Sequence, residues 1–439
     1  MAVLDRVAGT LTVLREWRGA MRMPLRPADE VARARDERVR ALVEEAAASV
    51  PHYRELFREL GLDRREIRTA DDLGRLPLLD RAAVASDPSR LRSAAVADDD
   101  VSVVHTSGVT GEPLPIAHDR ASLLRNIVWS RRESKPVSTF GVPAFGGSVV
   151  AVLEPEATAR QVDRANRGLA WRPGRPKKTI VSTDDPLDVA VAAIETAKPD
   201  LVVGFGSYLE LLFRTVAARG GLAHLPKVIR YGADAMTGYG RAEIERALGV
   251  PVLGGYGAAE SLRLGYVCEQ RNGFHLHDDL VHVVAVDETG AAAPDGTTGE
   301  LVITNLVNRG TVLLNYRLGD LGRIERDACP CGRASPRIVE VVGRTADVVR
   351  LPGGRRITTD EVAQCAEVPE VVRFQLLERA PGRFELRLRT VEGAPVDDAR
   401  DAVAGRARAL LEGAEVDVVL DQGLAAGTGG KFRPVLPLA

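Results

Sequence analysis

Val104 to Ile116, reading VHTSGVTGEPLPI, is the stretch whose interpretation decides the rest of the chain. It begins at the end of an apolar run (Val101, Val103, Val104) that predicts a strand. Thr106 and Ser107 precede Gly108, Thr110 precedes Gly111, and Pro113 closes the segment. Glycine lets the backbone approach a ligand closely, and amides with hydroxyls in such a loop form an anion-binding concavity. The same composition suits an ordinary turn between two strands, so phosphate binding and plain turn both stay open at this point. The Walker pattern is excluded, because Glu112 stands where its lysine would be, and the G-x-G-x-x-G fingerprint is missing.

Downstream, apolar runs alternate with helical patterns: a buried strand over 145–153, a helix over 186–197, a strand over 200–204, a helix over 207–219 and a strand over 227–231. That alternation predicts parallel βαβ units, with ligands at the carboxyl ends of the strands. The loops there are 204–208, which contains Phe205, Gly206, Ser207 and Tyr208, and Gly232-Ala233-Asp234. A strand at 251–253 runs into Gly254-Gly-Tyr256-Gly257-Ala-Ala-Glu260, and an alternating strand near 299–306 is followed by Leu313-Leu-Asn-Tyr-Arg-Leu-Gly-Asp320. Asp320 also suits a turn, Gly319-Asp320-Leu321-Gly322. Upstream, 28–61 is helical by spacing, broken at Pro51 and stopped at Gly61, and then comes Asp72-Leu-Gly-Arg-Leu-Pro-Leu78. After 343 the pattern changes to a small α+β unit: a helix at 358–365 capped by Thr358 or Thr359, strands near 371–377 and 383–390, a helix at 397–412 and a strand at 415–420.

In their order along the chain, five motifs (105–113, 256–260, 316–320, 343–350 and 427–433) resemble the adenylate-forming superfamily of acyl- and aryl-CoA ligases, luciferases and peptide-synthetase adenylation domains. The opening through Leu78 resembles its phenylacetate–CoA ligase branch. The resemblance implies an α/β fold with a large N-terminal domain of βαβ-type sheets (1–342) and a small, mobile α+β C-terminal domain (343–439). It implies ATP-dependent activation of a carboxylic acid, read as aromatic, followed by transfer to coenzyme A. The alternatives are a non-CoA acceptor (nitrite, as in a diazotase, or a cofactor or carrier protein) and a nucleotide binder that has lost catalysis.

Residue roles follow from the resemblance. Thr106, Ser107, Gly108, Thr110 and Gly111 would hold phosphates, with Val109 and Glu112 departing from the family loop. Gly232, Ala233 and Asp234, with Tyr256 and Gly257, would flank adenine; Asp234 and Gly206 are also departures. Glu260 would hold Mg²⁺, which prefers carboxylate and phosphate oxygens. Asp320 would accept from both ribose hydroxyls, Arg344 would reach the ribose, and Asp347 would be the hinge. Arg350 replaces a usual lysine, and 352–356 would line the pantetheine path. Lys431, on Gly427-Thr-Gly-Gly-Lys431, would be the catalytic cation, with Glu260 and Thr106 beside it. Phe140, Phe205 and Tyr208 are read as the substrate pocket, with Phe145, Tyr231 and Met236 as further candidates.

Cys329-Pro-Cys331, Cys268 and His275 could make a closed Cys₃His zinc site, a structural type. His277 and His282 are rival fourth ligands, and buried free thiols are the alternative. Cys365 is assigned to the core.

With 45% hydrophobic and 27% charged residues and a formal net charge of -2, the 439-residue chain reads as globular, with no call for a nucleic-acid partner. The chain has six lysines, and after Lys227 only Lys431 remains. No apolar run approaches the roughly 20 residues that span a bilayer, and charges interrupt the amphipathic N-terminal helix. Four cysteines make no disulfide framework. The expectation is a cytoplasmic enzyme with a small acid, ATP, Mg²⁺, coenzyme A and structural Zn²⁺ as ligands, and with a homodimer left open.

Overall fold

The computed structural model describes residues 2–106, 112–171, 175–351, 353–391, 393–424 and 431–438. Strands are numbered along the chain: β1 Val101–His105, β2 Pro115–Asp119, β3 Ser148–Val152, β4 Lys177–Val181, β5 Leu201–Phe205, β6 Val228–Gly232, β7 Val252–Tyr256, β8 Gly265–Val267, β9 Phe274–Leu276, β10 Val281–Val286, β11 Thr298–Asn305, β12 Tyr316–Glu325 and β13 Arg337–Arg344. Then follow β14 Val349–Arg350, β15 Arg356–Ile357, β16 Val371–Ala380, β17 Arg383–Thr390, β18 Glu415–Leu420 and β19 Val435–Leu436. By its own contacts the chain forms two units: residues 1–139, 156–175 and 254–341, and residues 140–155, 176–253 and 342–439.

In the first unit β1 and β2 form an antiparallel pair, with Val104 opposite Ile116. The candidate phosphate loop therefore joins two adjacent strands; its residues 107–111 lie outside the described residues. The larger sheet has the order β10-β11-β12-β13-β9-β8, with antiparallel pairing at β10–β11, β11–β12, β13–β9 and β8–β9. The helix Ala28–Ser49 buries Val31, Val39, Leu42, Val43 and Ala46, the three-to-four spacing of a one-faced helix. That face shares a core with Leu301, Ile303 and Ile338. The break expected at Pro51 is present: the first helix stops at Ser49, Val50 is extended, and Pro51 opens the next helix, Pro51–Leu60, as a first-turn proline can. Gly61, at φ 60°, ends it.

Tyr53 is fully buried in this unit. Its hydroxyl donates to Val312 O (3.2 Å) and accepts from Leu314 N (2.9 Å). Asn315, at φ 50°, donates through Nδ2 to Leu73 O (2.7 Å) and Leu76 O (3.0 Å). Leu79 then pairs with Tyr316, Leu79 N donating to Asn315 O and Arg317 N to Leu79 O, each at 2.9 Å. The Leu-Pro-Leu signature is thus a strut against the start of β12.

The second unit contains a parallel sheet in the order β6-β5-β3-β4. Helices Leu187–Ala197, Gly206–Ala218 and Gly238–Leu248 follow its strands. The βαβ expectation holds here, whereas the sheet of the first unit is antiparallel. β4 was not foreseen: it opens with Lys177 and Lys178 and lies at the sheet edge, where polar residues cost little.

Residues from 349 onward in this unit carry their own core, including Val349, Ile357, Leu376, Leu386, Leu388, Val403 and Val435. β17 alternates Phe384, Leu386, Leu388 and Thr390 inward against Arg383, Glu385, Arg387 and Arg389. The sheet order is β18-β17-β16-β19. Thr358, not Thr359, caps the helix Thr359–Cys365, in a reciprocal box with Glu361. Cys365 is buried on that helix. No helix among the described residues is long and apolar enough to cross a membrane.

Tyr53→Phe removes one buried hydroxyl and orphans the Leu314 N–H. Its expected cost is about 1–3 kcal/mol, read as a lower urea midpoint at unchanged m-value. An unchanged midpoint would show that 312–314 is held without Tyr53.

Candidate active site and metal cluster

Thr106 closes the neck of the Ser/Thr/Gly loop. Its N–H donates to Leu114 O (3.0 Å), and its Oγ1 accepts from Leu114 N (2.9 Å). Arg81 opens the short helix Arg81–Ser86, directly after the Leu-Pro-Leu-Leu strut. Both its Nη atoms stand 3.4 Å from Thr106 Oγ1, and Nη2 also donates to Glu112 O (2.5 Å). One guanidinium thus touches both ends of a loop whose own sequence supplies no cation.

Two carboxylates in the same unit are each held by a tyrosine. Tyr316 Oη donates to Glu260 Oε1 (3.2 Å), and Tyr256 Oη donates to Asp320 Oδ2 (2.6 Å). Burial, with Glu260 nearby, raises the Tyr316 pKa, so the phenol stays a donor. Glu260 is itself buried. Its backbone carbonyl accepts from Asn305 Nδ2 (3.0 Å), and the carbonyl of Ala259 bonds His118 Nε2 (2.8 Å). Burial pushes the His118 pKa down to about 4, so a neutral ring donates there. Asp320 lies within β12, not in an isolated turn.

In the second unit, Gly232 ends β6, and Ala233 follows at φ 69°, a left-handed conformation rare for a side-chain-bearing residue. Asp234 accepts from Ser207 N (3.2 Å) and Ser207 Oγ (2.5 Å). Burial raises its pKa, while Ser207 and the charge of Lys431 lower it. The departure at Gly206 has a steric cause: a Cβ there would lie 2.5 Å from Ala235 C and 2.6 Å from Met236 N. Phe205, Tyr208 and Met236 are buried; Phe140 and Tyr231 are half-buried. Phe145 is 62% exposed. Arg344 ends β13. Asp347 is buried and accepts from Arg433 Nε (3.0 Å) and Nη2 (2.5 Å). Arg350 is exposed, Pro352 lies outside the described residues, and so do 425–430, which lead to Lys431.

The ligand atoms of Cys268, His275, Cys329 and Cys331 all lie within 4.8 Å of one another. Cys268 Sγ is 3.9 Å from Cys329 Sγ, and Cys331 Sγ is 3.3 Å from His275 Nε2. Tetrahedral zinc bonds of about 2.3 Å to sulfur and 2.0 Å to nitrogen require edges of about 3.5–3.8 Å, so the cluster is compatible with zinc. His275 Nδ1 lies 3.2 Å from Ser335 Oγ, which orients the ring. Burial, with Arg333 and Arg337 nearby, pushes its pKa down to about 4, leaving it neutral. His277 instead faces Glu133 (3.6 Å) and Arg132 (3.5 Å), and the half-buried His282 is not part of the cluster.

No protein-family model matches the chain. It is 27% identical over 377 residues to the phenylacetate–coenzyme A ligase of Thermus thermophilus, covering 82% of this chain and 80% of that one. Among solved structures it superposes on a 2-hydroxyisobutyryl-CoA ligase in the postadenylation state, with a TM-score of 0.76, 21% identity and coverage of 95% and 91%. An amide bond synthetase of Marinactinospora thermotolerans follows with a TM-score of 0.54, 16% identity and coverage of 84% and 76%. The chain is similar to phenylacetate–CoA ligases. Its fold is that of the adenylate-forming enzymes.

Four of these contacts are not evident from the sequence motifs. Tyr316 lies inside the 316–320 motif, whose role the resemblance assigns to Asp320. His118 and Asn305 position Glu260 from distant strands. Arg81 is 25 residues from Thr106; the one signal for it was the missing loop lysine, which left a charge to be supplied from elsewhere.

Proposed function

We propose that this chain is an ATP-dependent, AMP-forming ligase that activates a carboxylic acid, an aromatic one, and passes the acyl group to coenzyme A. The observation that carries the reading is the pair Glu260 and Asp320, each held by a tyrosine, in a chain similar over four-fifths of its length to a phenylacetate–CoA ligase.

The substrate carboxylate attacks the α-phosphorus of ATP, forming a P–O bond as pyrophosphate leaves. The nucleophile is already ionised, so no general base is needed, and catalysis rests on positioning and charge stabilisation. Glu260 would hold Mg²⁺, its carboxylate fixed by Tyr316. Mg²⁺, when bound, offsets negative charge at the triphosphate. Asp320 would anchor the ribose with Arg344, Tyr256 would lie against adenine with Gly257, and Gly232, Ala233 and Asp234 would form the facing turn. Thr106, Ser107, Gly108, Thr110 and Gly111 would cradle phosphate, with Arg81 as the cation the loop lacks. Phe140, Phe205 and Tyr208 would receive the acid. Lys431 would bridge acid and nucleotide, residues 343–439 would move about Asp347 as a domain separate from 1–342, and Cys268, His275, Cys329 and Cys331 would bind one structural zinc.

The reading is tested by pyrophosphate release across aryl and alkyl acids, with and without coenzyme A. Release with an aromatic acid, and thioester formed only when coenzyme A is supplied, is the expected result; dependence on nitrite or an amine would redirect the acceptor. Lys431→Ala should abolish adenylation yet leave thioester formation from supplied acyl-adenylate, and normal adenylation by that variant would contradict its role. Arg81→Met loses a charge-assisted contact of about 1.5–3 kcal/mol. The ATP KM should therefore rise about tenfold or more, and an unchanged value would remove Arg81 from the phosphate site. Metal analysis should return one zinc per chain, and a strong chelator should lower the melting temperature; protein purified without bound metal would end the zinc assignment.

A further inference from the structure

The backbone after Lys431 is fixed in register. Leu376 N donates to Pro434 O (2.8 Å), Gln375 Nε2 to Arg433 O (2.9 Å), and β19 pairs with β16 at Leu376 and Val435. Between that anchored segment and Lys431 lies a single residue, Phe432. The guanidinium of Arg373, on β16, sits over its ring at 4.6 Å from the centroid. Arg373 is buried. Its Nη2 also donates to Ser207 O (2.9 Å), and Ser207 gives both its N–H and its hydroxyl to Asp234. Lys431 acts electrostatically on that same Asp234. Arg214, two turns along the helix that Gly206 begins, supports the arrangement by donating to Val368 O (3.3 Å) and Pro369 O (3.2 Å).

Arginine suits this position for a physical reason. A planar guanidinium can stack by its face on an aromatic ring while donating in its plane. An ammonium at the same place has no planar face to lay against the ring. Arg373 therefore ties the residue beside Lys431 to the serine that orients the Lys431 counter-charge.

We propose that Arg373 is a positioning residue that aims the Lys431 ammonium, acting through Phe432 on one side and Ser207–Asp234 on the other. The inference rests on the reading of Lys431 as the adenylation cation. It goes beyond that reading in assigning the aim of a lysine on a glycine-rich arm to a buried arginine. Misplacing a reacting group by about 1 Å costs on the order of a hundredfold in rate, which sets the scale of the effect.

Adenylation, read as pyrophosphate release, and thioester formation from supplied acyl-adenylate are measured on the full chain for Lys431→Ala, Arg373→Met, Arg373→Lys, Phe432→Leu and the double variant Arg373→Met/Lys431→Ala. Arg373→Met should lower adenylation kcat about ten- to a hundredfold, with the ATP KM and the thioester half-reaction each within about twofold. Arg373→Lys should recover little, and Phe432→Leu should show the same split. Because both residues act through one ammonium, adding Arg373→Met to Lys431→Ala should cost nothing further. Equal losses in both half-reactions, or an additional loss in the double variant, would overturn the inference. Should Arg373→Met not yield folded protein, Phe432→Leu decides alone: a selective adenylation defect supports the inference, and none overturns it. Normal adenylation by Lys431→Ala would instead sink the underlying reading.

Discussion

The segment 312–317 is held from outside its own sheet, and the geometry of the first unit's candidate site descends from that. A buried phenol and a buried amide do the holding. Tyr53 satisfies Val312 and Leu314, and the Asn315 side chain satisfies Leu73 and Leu76. Buried backbone groups must find partners, so these bonds set where β12 begins. Tyr316 then faces Glu260, and Asp320 sits four residues on, within reach of Tyr256. The same strut sends Arg81 back to Thr106. A sequence signature without chemistry of its own thus fixes a donor for a carboxylate and a cation for a loop.

The second unit applies a similar economy to its terminal segment. Asp347 takes Arg433, Arg373 takes the Phe432 ring, and β19 is zipped onto β16. These contacts leave Lys431 at the border between a fixed register and the glycines that precede it. Positive charge that is buried must be paired or well donated; Arg373 and Arg214 meet this largely through backbone carbonyls, and Glu210 and Asp234 lie close enough to act on Arg373.

What was legible in the sequence divides along locality. The helix Leu187–Ala197 and strands β5 and β6 lie within a residue or two of expectation, because apolar periodicity is a local property. The adenylate-forming fold was legible from the order of motifs. β4 was not, since its lysines hide an edge strand. The thiol cluster could be named from spacing, but choosing among His275, His277 and His282 needed the strand register that sets His275 opposite Arg337 and Tyr266. Arg81 and Arg373 illustrate the remaining gap: neither belongs to a motif, and each matters through a contact made across the fold. The loop glycines and the terminal glycine arm, legible as motifs, lie at 107–111 and 425–430, outside the described residues.

Gly206 sets a limit on how its surroundings can be redesigned. The start of its helix lies so close to Ala235 and Met236 that even a methyl group would collide with main chain, not with a side chain that could swing aside. Diversity libraries that randomise the neighbourhood of Phe205 and Tyr208 should therefore leave 206 untouched. At that spot shape is written into the peptide backbone.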